Sequence, residues 1–145
     1  MTYKSILSLT CFLFSSLSLF GQSDEDLIRH SIHNYFNGTS YNNVKQIESA
    51  FFADAKLYLE NREGELMVVG PKEYAGWFSK REAGTFSGRY NKLIEIKQTG
   101  NLAQVTAEIT IPAMERVYTD IFIMRRMNEG EWLIIAKSAN NRPAE

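Results

Sequence analysis

From Lys92 to Lys137 the chain offers little but β-strand, and this constrains its fold more than any other feature. Four runs, Lys92 to Lys97, Leu102 to Ile111, Val117 to Met127 and Trp132 to Lys137, are separated only by Gly100-Asn101, Pro112-Ala113 and Asn128-Glu129-Gly130. Connections this short join neighbouring strands in opposite directions, because a parallel crossover needs a dozen residues or more. The second half is therefore predicted to be an antiparallel meander.

Such a sheet needs a cover, and the preceding residues supply one. Leu27, Ile28, Ile32 and Tyr35 recur at helical spacing, with Ser23 or Asp24 available as N-cap and Gly38 to end the last turn. Asn42 or Asn43 can cap a second, shorter helix carrying Val44, Ile47, Ala50 and Phe51. From Ala55 the period becomes two, and Arg62-Glu63-Gly64 returns the chain into Leu66-Met67-Val68-Val69 as a β-hairpin. Pro71 then opens a third helix, Lys72 to about Lys80, with Tyr74, Trp77 and Phe78 on one side. The expected fold class is α+β, with three helices packed on a curved antiparallel sheet of about six strands. A sheet that curls around its helices leaves a cavity.

The first residues read differently. Lys4 precedes the apolar stretch Ile6 to Phe20, which meets Gly21-Gln22 and the acidic Asp24-Glu25-Asp26, the pattern of a secretory signal peptide over residues 1–21. The expected mature domain is 22–145, exported to the periplasm or beyond, with no membrane span after cleavage. Cleavage removes Cys11, the sole cysteine, so disulfides, thiol catalysis and cysteine metal sites are excluded from that domain. The 16 basic residues fall to 15 with the loss of Lys4, against 17 acidic ones, and no global field attracts a nucleic acid.

The order of elements resembles the nuclear transport factor 2-like superfamily, the cone-shaped fold of ketosteroid isomerases and polyketide cyclases. Within it the chain is most similar to the lumazine-binding or SnoaL-like group, through Ile32-His33-Asn34-Tyr35-Phe36-Asn37-Gly38, Ile47 to Leu57, Tyr118-Thr119-Asp120 and Gly130-Glu131-Trp132-Leu133-Ile134-Ile135-Ala136-Lys137. The resemblance implies a homodimer packed through the outer sheet face and a pocket between the helices and the concave face. The chain departs from the group where Phe52 and Ala139-Asn140 stand in place of histidine-bearing positions, and any acid-base role for those histidines is lost.

Candidate chemistry is sparse. Asp120 alternates with Tyr118, Phe122 and Met124, so an acid shares a face with apolar neighbours and is the first candidate for a general base or ligand anchor. The opposite face, Val117, Thr119, Ile121 and Ile123, is also mostly apolar, so the pattern alone leaves cavity and subunit interface both open. Tyr35 falls on the buried side of the first helix, where the resemblance to ketosteroid isomerases implies an oxyanion donor; packing in the core is the plainer reading. Glu95 and Glu108 alternate as solvent-facing residues do, and Asp54 is expected to fix the turn from helix to strand. His30 and His33 lie three apart on a helix without a third histidine, which gives no metal site. Tyr74, Trp77 and Phe78, with Tyr118 and Phe122, are the candidate ligand-binding residues, although core packing of the third helix explains the first three equally well; Lys137 with the polar residues after it reads as a solvated C-terminus, with the mouth of the cone as the other reading. Without a paired acid and base, the reading is a non-catalytic binder of a small, partly apolar molecule, with no cofactor. The alternative is a cofactor-free isomerase, dehydratase or cyclase using Asp120 as base and Tyr35 as hydrogen-bond donor.

Overall fold

The computed structural model describes residues 22–144, so the segment read as a signal peptide lies outside the described residues. In chain order the elements are α1 (Asp24–Ser40), α2 (Val44–Ser49), β1 (Phe51–Glu60), β2 (Leu66–Val69), α3 (Pro71–Gly76), β3 (Tyr90–Thr99), β4 (Leu102–Ile111), β5 (Arg116–Arg126) and β6 (Trp132–Pro143). A 3₁₀ turn, Trp77–Lys80, extends α3. Among the described residues no helix is long and apolar enough to cross a membrane.

Ser23 caps α1 in a reciprocal box with Asp26, and three acidic residues in the first turn complement the positive end of the helix dipole. Ile28, Ile32, Tyr35 and Phe36 turn one face inward and are buried. The helix does not stop at Gly38 as expected; it runs on to Ser40. Gly38 serves a close approach instead, since a Cβ there would stand 2.8 Å from the backbone nitrogen of Ile47 and 2.7 Å from its Cγ1. Asn42 makes the turn at φ 55°, and the Asn43 side chain accepts from the Gln46 N–H at 3.1 Å to cap α2. β1 begins at Phe51, earlier than its alternation suggests. Asp54 therefore lies exposed within a strand and fixes no turn.

The six strands form one sheet in the order β2-β1-β6-β5-β4-β3. The predicted meander is present as β3 to β6, all antiparallel, and the β1–β2 hairpin joins it through a single parallel pair, β1 with β6. In β6 the register slips by one residue: Met124 faces Ile134, but Ile123 faces Ala136, leaving Ile135 as a bulge. Before the bulge Trp132 and Ile134 point inward; after it the inward residue is Lys137. α1 packs across β6 and α3 against β1. The core gathers Ile28, Ile32, Ile47, Leu57, Val105, Ile109, Phe122, Met124 and Ile134 between the layers.

Candidate functional site

A cavity of about 430 Å³ opens where the concave face of the sheet leaves α3. Tyr74, Trp77 and Phe78 form its helical wall, while Tyr118, Asp120, Lys137 and Asn141 rise from β5 and β6. Leu59, Ile111 and Met114 close the rim together with the charged Glu60, Arg62 and Arg89. The volume suits a molecule of one or two rings, within the range of ordinary ligand pockets.

Asp120 lies at the bottom of this cavity with 1% of its surface exposed. Its cross-strand neighbours are Ala107 on β4 and Ala139 on β6, and these small side chains leave open the space above the carboxylate. The Lys137 Nζ stands 3.0 Å from Asp120 Oδ2, and both partners are almost completely buried. The Tyr35 hydroxyl donates to the same oxygen at 3.1 Å, and it lies 2.8 Å from the Tyr74 hydroxyl. Oδ1 has no protein partner among the described residues. The ammonium of Lys137 sits 5.7–5.9 Å from the ring centres of Tyr35, Tyr74 and Phe122, a partial aromatic cage that offsets part of its desolvation. Burial, then the negative charge of Asp120, hold the Tyr35 phenol well above the usual tyrosine range, so it stays a donor.

The structure sorts the candidates. Asp120 faces the cavity and not the outer side of the sheet; Tyr74, Trp77, Phe78 and Tyr118 also line it. Tyr35 does not reach the lining: it is fully buried behind Asp120, its hydroxyl committed to Asp120 and Tyr74. An oxyanion donor must face the reacting atoms, so Tyr35 is a positioning residue. Phe122 is likewise removed from the ligand-contact set, because it lies in the core with its ring 5.0 Å from that of Tyr35. Glu95 pairs with Lys97 at 3.0 Å and Glu108 with Arg142 at 3.4 Å, away from the cavity. His30 and His33 are exposed on α1, and no metal-ligand cluster is found among the described residues.

Two charged residues of the cavity are placed by the tertiary structure rather than by any local pattern. Lys137 is not part of a solvated terminus, because β6 continues to Pro143 in register with β5 and the bulge at Ile135 turns the lysine inward. Arg89 carries no motif. It follows a loop pinned to the C-terminal end of α1, where Gly84 and Ser87 N–H groups donate to the Tyr41 and Ser40 carbonyls, each at 2.7 Å, and the Ser40 hydroxyl donates to the Arg89 carbonyl at 2.9 Å. The first two bonds satisfy carbonyls that a helix end leaves open and the third fixes the Arg89 backbone, whose guanidinium lies over the Phe78 ring, 5.6 Å from its centre.

Residues 23–138 match the family described as "Putative lumazine-binding". The chain belongs to that family. Among solved structures, a nuclear transport factor 2-like protein of unknown function from Shewanella baltica superimposes with TM-score 0.72 at 14% identity, covering 86% of this chain and 100% of that one. A second from Methylobacillus flagellatus gives 0.70 at 20% identity over 86% and 98%. A ketosteroid isomerase-like protein from Erwinia carotovora atroseptica gives 0.61 at 16% identity over 83% and 98%. These likenesses establish the nuclear transport factor 2-like fold. No match is found among curated proteins.

Proposed function

We propose that this is an exported protein whose cone holds one small, partly apolar molecule, without a cofactor and without transforming it. The family description supports small-molecule binding. The observation that carries the non-catalytic part is the commitment of Asp120 to Lys137 and Tyr35. To accept a proton, the carboxylate would have to leave a buried ammonium unpaired, and that costs several kcal/mol. The other group an isomerase would use, the Tyr35 hydroxyl, lies behind the carboxylate.

Export rests on the apolar stretch Ile6 to Phe20. A homodimer through the outer sheet face is supported by the row Val68–Tyr58–Ser138–Ile121 across β2, β1, β6 and β5, in which Val68, Tyr58 and Ile121 are 51, 41 and 42% exposed. Sedimentation of Ile121→Glu tests this: a species of half the wild-type mass is expected, and an unchanged mass rules this interface out.

A second reading, proton-transfer catalysis, is favoured by one observation: Asp120 lines the cavity and its Oδ1 has no protein partner among the described residues. Native mass spectrometry of protein purified from its own host, followed by chromatography of the released molecule before and after incubation, separates the two. A molecule bound one per chain, depleted by Trp77→Ala and recovered chemically unchanged, supports binding. Conversion that Asp120→Asn abolishes supports the enzyme. A consistently empty cone would refute a resident ligand.

A further inference from the structure

Of the charged residues around the cavity, Glu60 and Arg62 are exposed to solvent at its mouth, and Arg89 is the more deeply set charge left without an ion pair among the described residues. Lys137 and Asp120 neutralise each other across 3.0 Å, whereas Arg89 makes no ion pair and no side-chain hydrogen bond among the described residues. Its Nε is buried without any partner. Burial disfavours the guanidinium charge, but the surrounding Tyr74, Tyr35, Asp120 and Tyr118 outweigh it and hold the group protonated, above the ordinary arginine value. A buried donor without a partner is rare, and Arg89 also lines the cavity, where a molecule from outside the chain can meet it. The same guanidinium lines a smaller hollow beside the cavity, again with Trp77, Phe78, Ile111 and Met114 around it. A cation fixed among apolar and aromatic walls fits a molecule with an anionic oxygen at one end and a flat apolar body at the other.

We propose that Arg89 is the anion anchor of this cavity, and that its ligands are small aromatic or alicyclic anions, carboxylates being the simplest class. The anionic oxygens accept from Arg89, and the ring system lies against Trp77, Phe78 and Tyr118. This inference rests on the small-molecule reading above and adds the sign of the ligand's charge. Arginine suits the task better than lysine because its planar donors address two oxygens of one carboxylate together. The hydrogen bonds from the loop to α1 supply the rigidity, so little ordering is needed when the anion arrives.

The test uses two fluorescent probes with one ring system: anilinonaphthalene sulfonate and its uncharged parent, phenylnaphthylamine. Affinities are measured for the wild type, Arg89→Gln and Arg89→Lys, and the quantity read is the ratio between probes. Loss of a charge-assisted contact is expected to lower sulfonate affinity about 10- to 100-fold in Arg89→Gln while leaving the neutral probe within about threefold. Arg89→Lys, which keeps the charge, is expected to recover part of the preference, and naphthoate should displace the sulfonate from the wild type. The neutral probe doubles as a check that the variant cavity is folded. If both probes bind and their ratio is the same in Arg89→Gln, the anchor is overturned and the binding cavity stands. Binding of neither probe to the wild type would overturn both readings.

Discussion

The buried ion pair of Asp120 and Lys137 gives the sharpest quantitative prediction. Unit charges 3.0 Å apart attract by about 5–6 kcal/mol at an effective dielectric constant of about 20. Desolvation of the two ions takes back an amount of the same order, so the intact pair is close to neutral for stability. Removing one member is another matter, because the attraction disappears while the survivor stays buried. Lys137→Met is expected to cost about 3–5 kcal/mol, leaving Asp120 with Tyr35 as its one remaining donor. Asp120→Asn is expected to cost less, about 2–3 kcal/mol, because three aromatic rings continue to face the ammonium. The double variant leaves no unpaired charge, so its loss should be about 2–4 kcal/mol smaller than the sum of the single losses. Urea denaturation of all four proteins at neutral pH, with m compared across them, measures this coupling. A coupling below about 0.5 kcal/mol would refute the reasoning, since it would mean that water screens the pair and that the floor of the cavity is not dry.

Three further outcomes follow from single residues. Gly38→Ala should destabilise by about 1–3 kcal/mol in denaturant titrations despite the better helix propensity of alanine, because the new methyl meets the Ile47 backbone. Tyr35→Phe should cost about 1–2 kcal/mol by removing the donor to Asp120 and stranding the Tyr74 hydroxyl. The raised Tyr35 value means that the unfolded chain loses this proton first, so wild-type stability falls as pH rises above 10.0, and thermal midpoints of Tyr35→Phe should show a shallower alkaline fall. Asp24 is held below the usual carboxylate range, mainly by the Trp132 indole N–H at 3.1 Å, with Gln98 and Arg126 adding to the effect and burial opposing it. Its contribution is present above pH 3.8 and lost as pH falls through the lowered folded value. The gap in thermal midpoint between wild type and Asp24→Asn should therefore be widest near neutrality and shrink in acid.

The site was partly readable because Asp120 breaks an apolar alternation. Tyr118, Phe122 and Met124 already told that the acid shares an inward face, although not whether that face meets helices or a second subunit. Tyr74, Trp77 and Phe78 announced an aromatic wall through their spacing on a proline-started helix. The depth of each aromatic could not be read that way, since Phe122 and Tyr118 stand four residues apart on one face and only Tyr118 reaches the cavity.

Local chemistry by itself determined the elements: Ser23 and Asn43 caps, Pro71 at the start of α3, and alternation in the strands up to Trp132 and Ile134. Interactions between neighbours in sequence decide these features, and they are written in residue order. What tertiary structure alone decided is the identity of the charged groups in the cavity. The bulge at Ile135 inverts the inward parity of β6, and it depends on the registers β6 keeps with both β1 and β5; the turn of Lys137 toward Asp120 follows from it. Arg89 is aimed by hydrogen bonds between a loop and a helix end almost fifty residues earlier, Ser40 to Arg89. Both charges are placed by long-range pairing, and a side chain's burial in such a site is a property of what the whole fold brings against it.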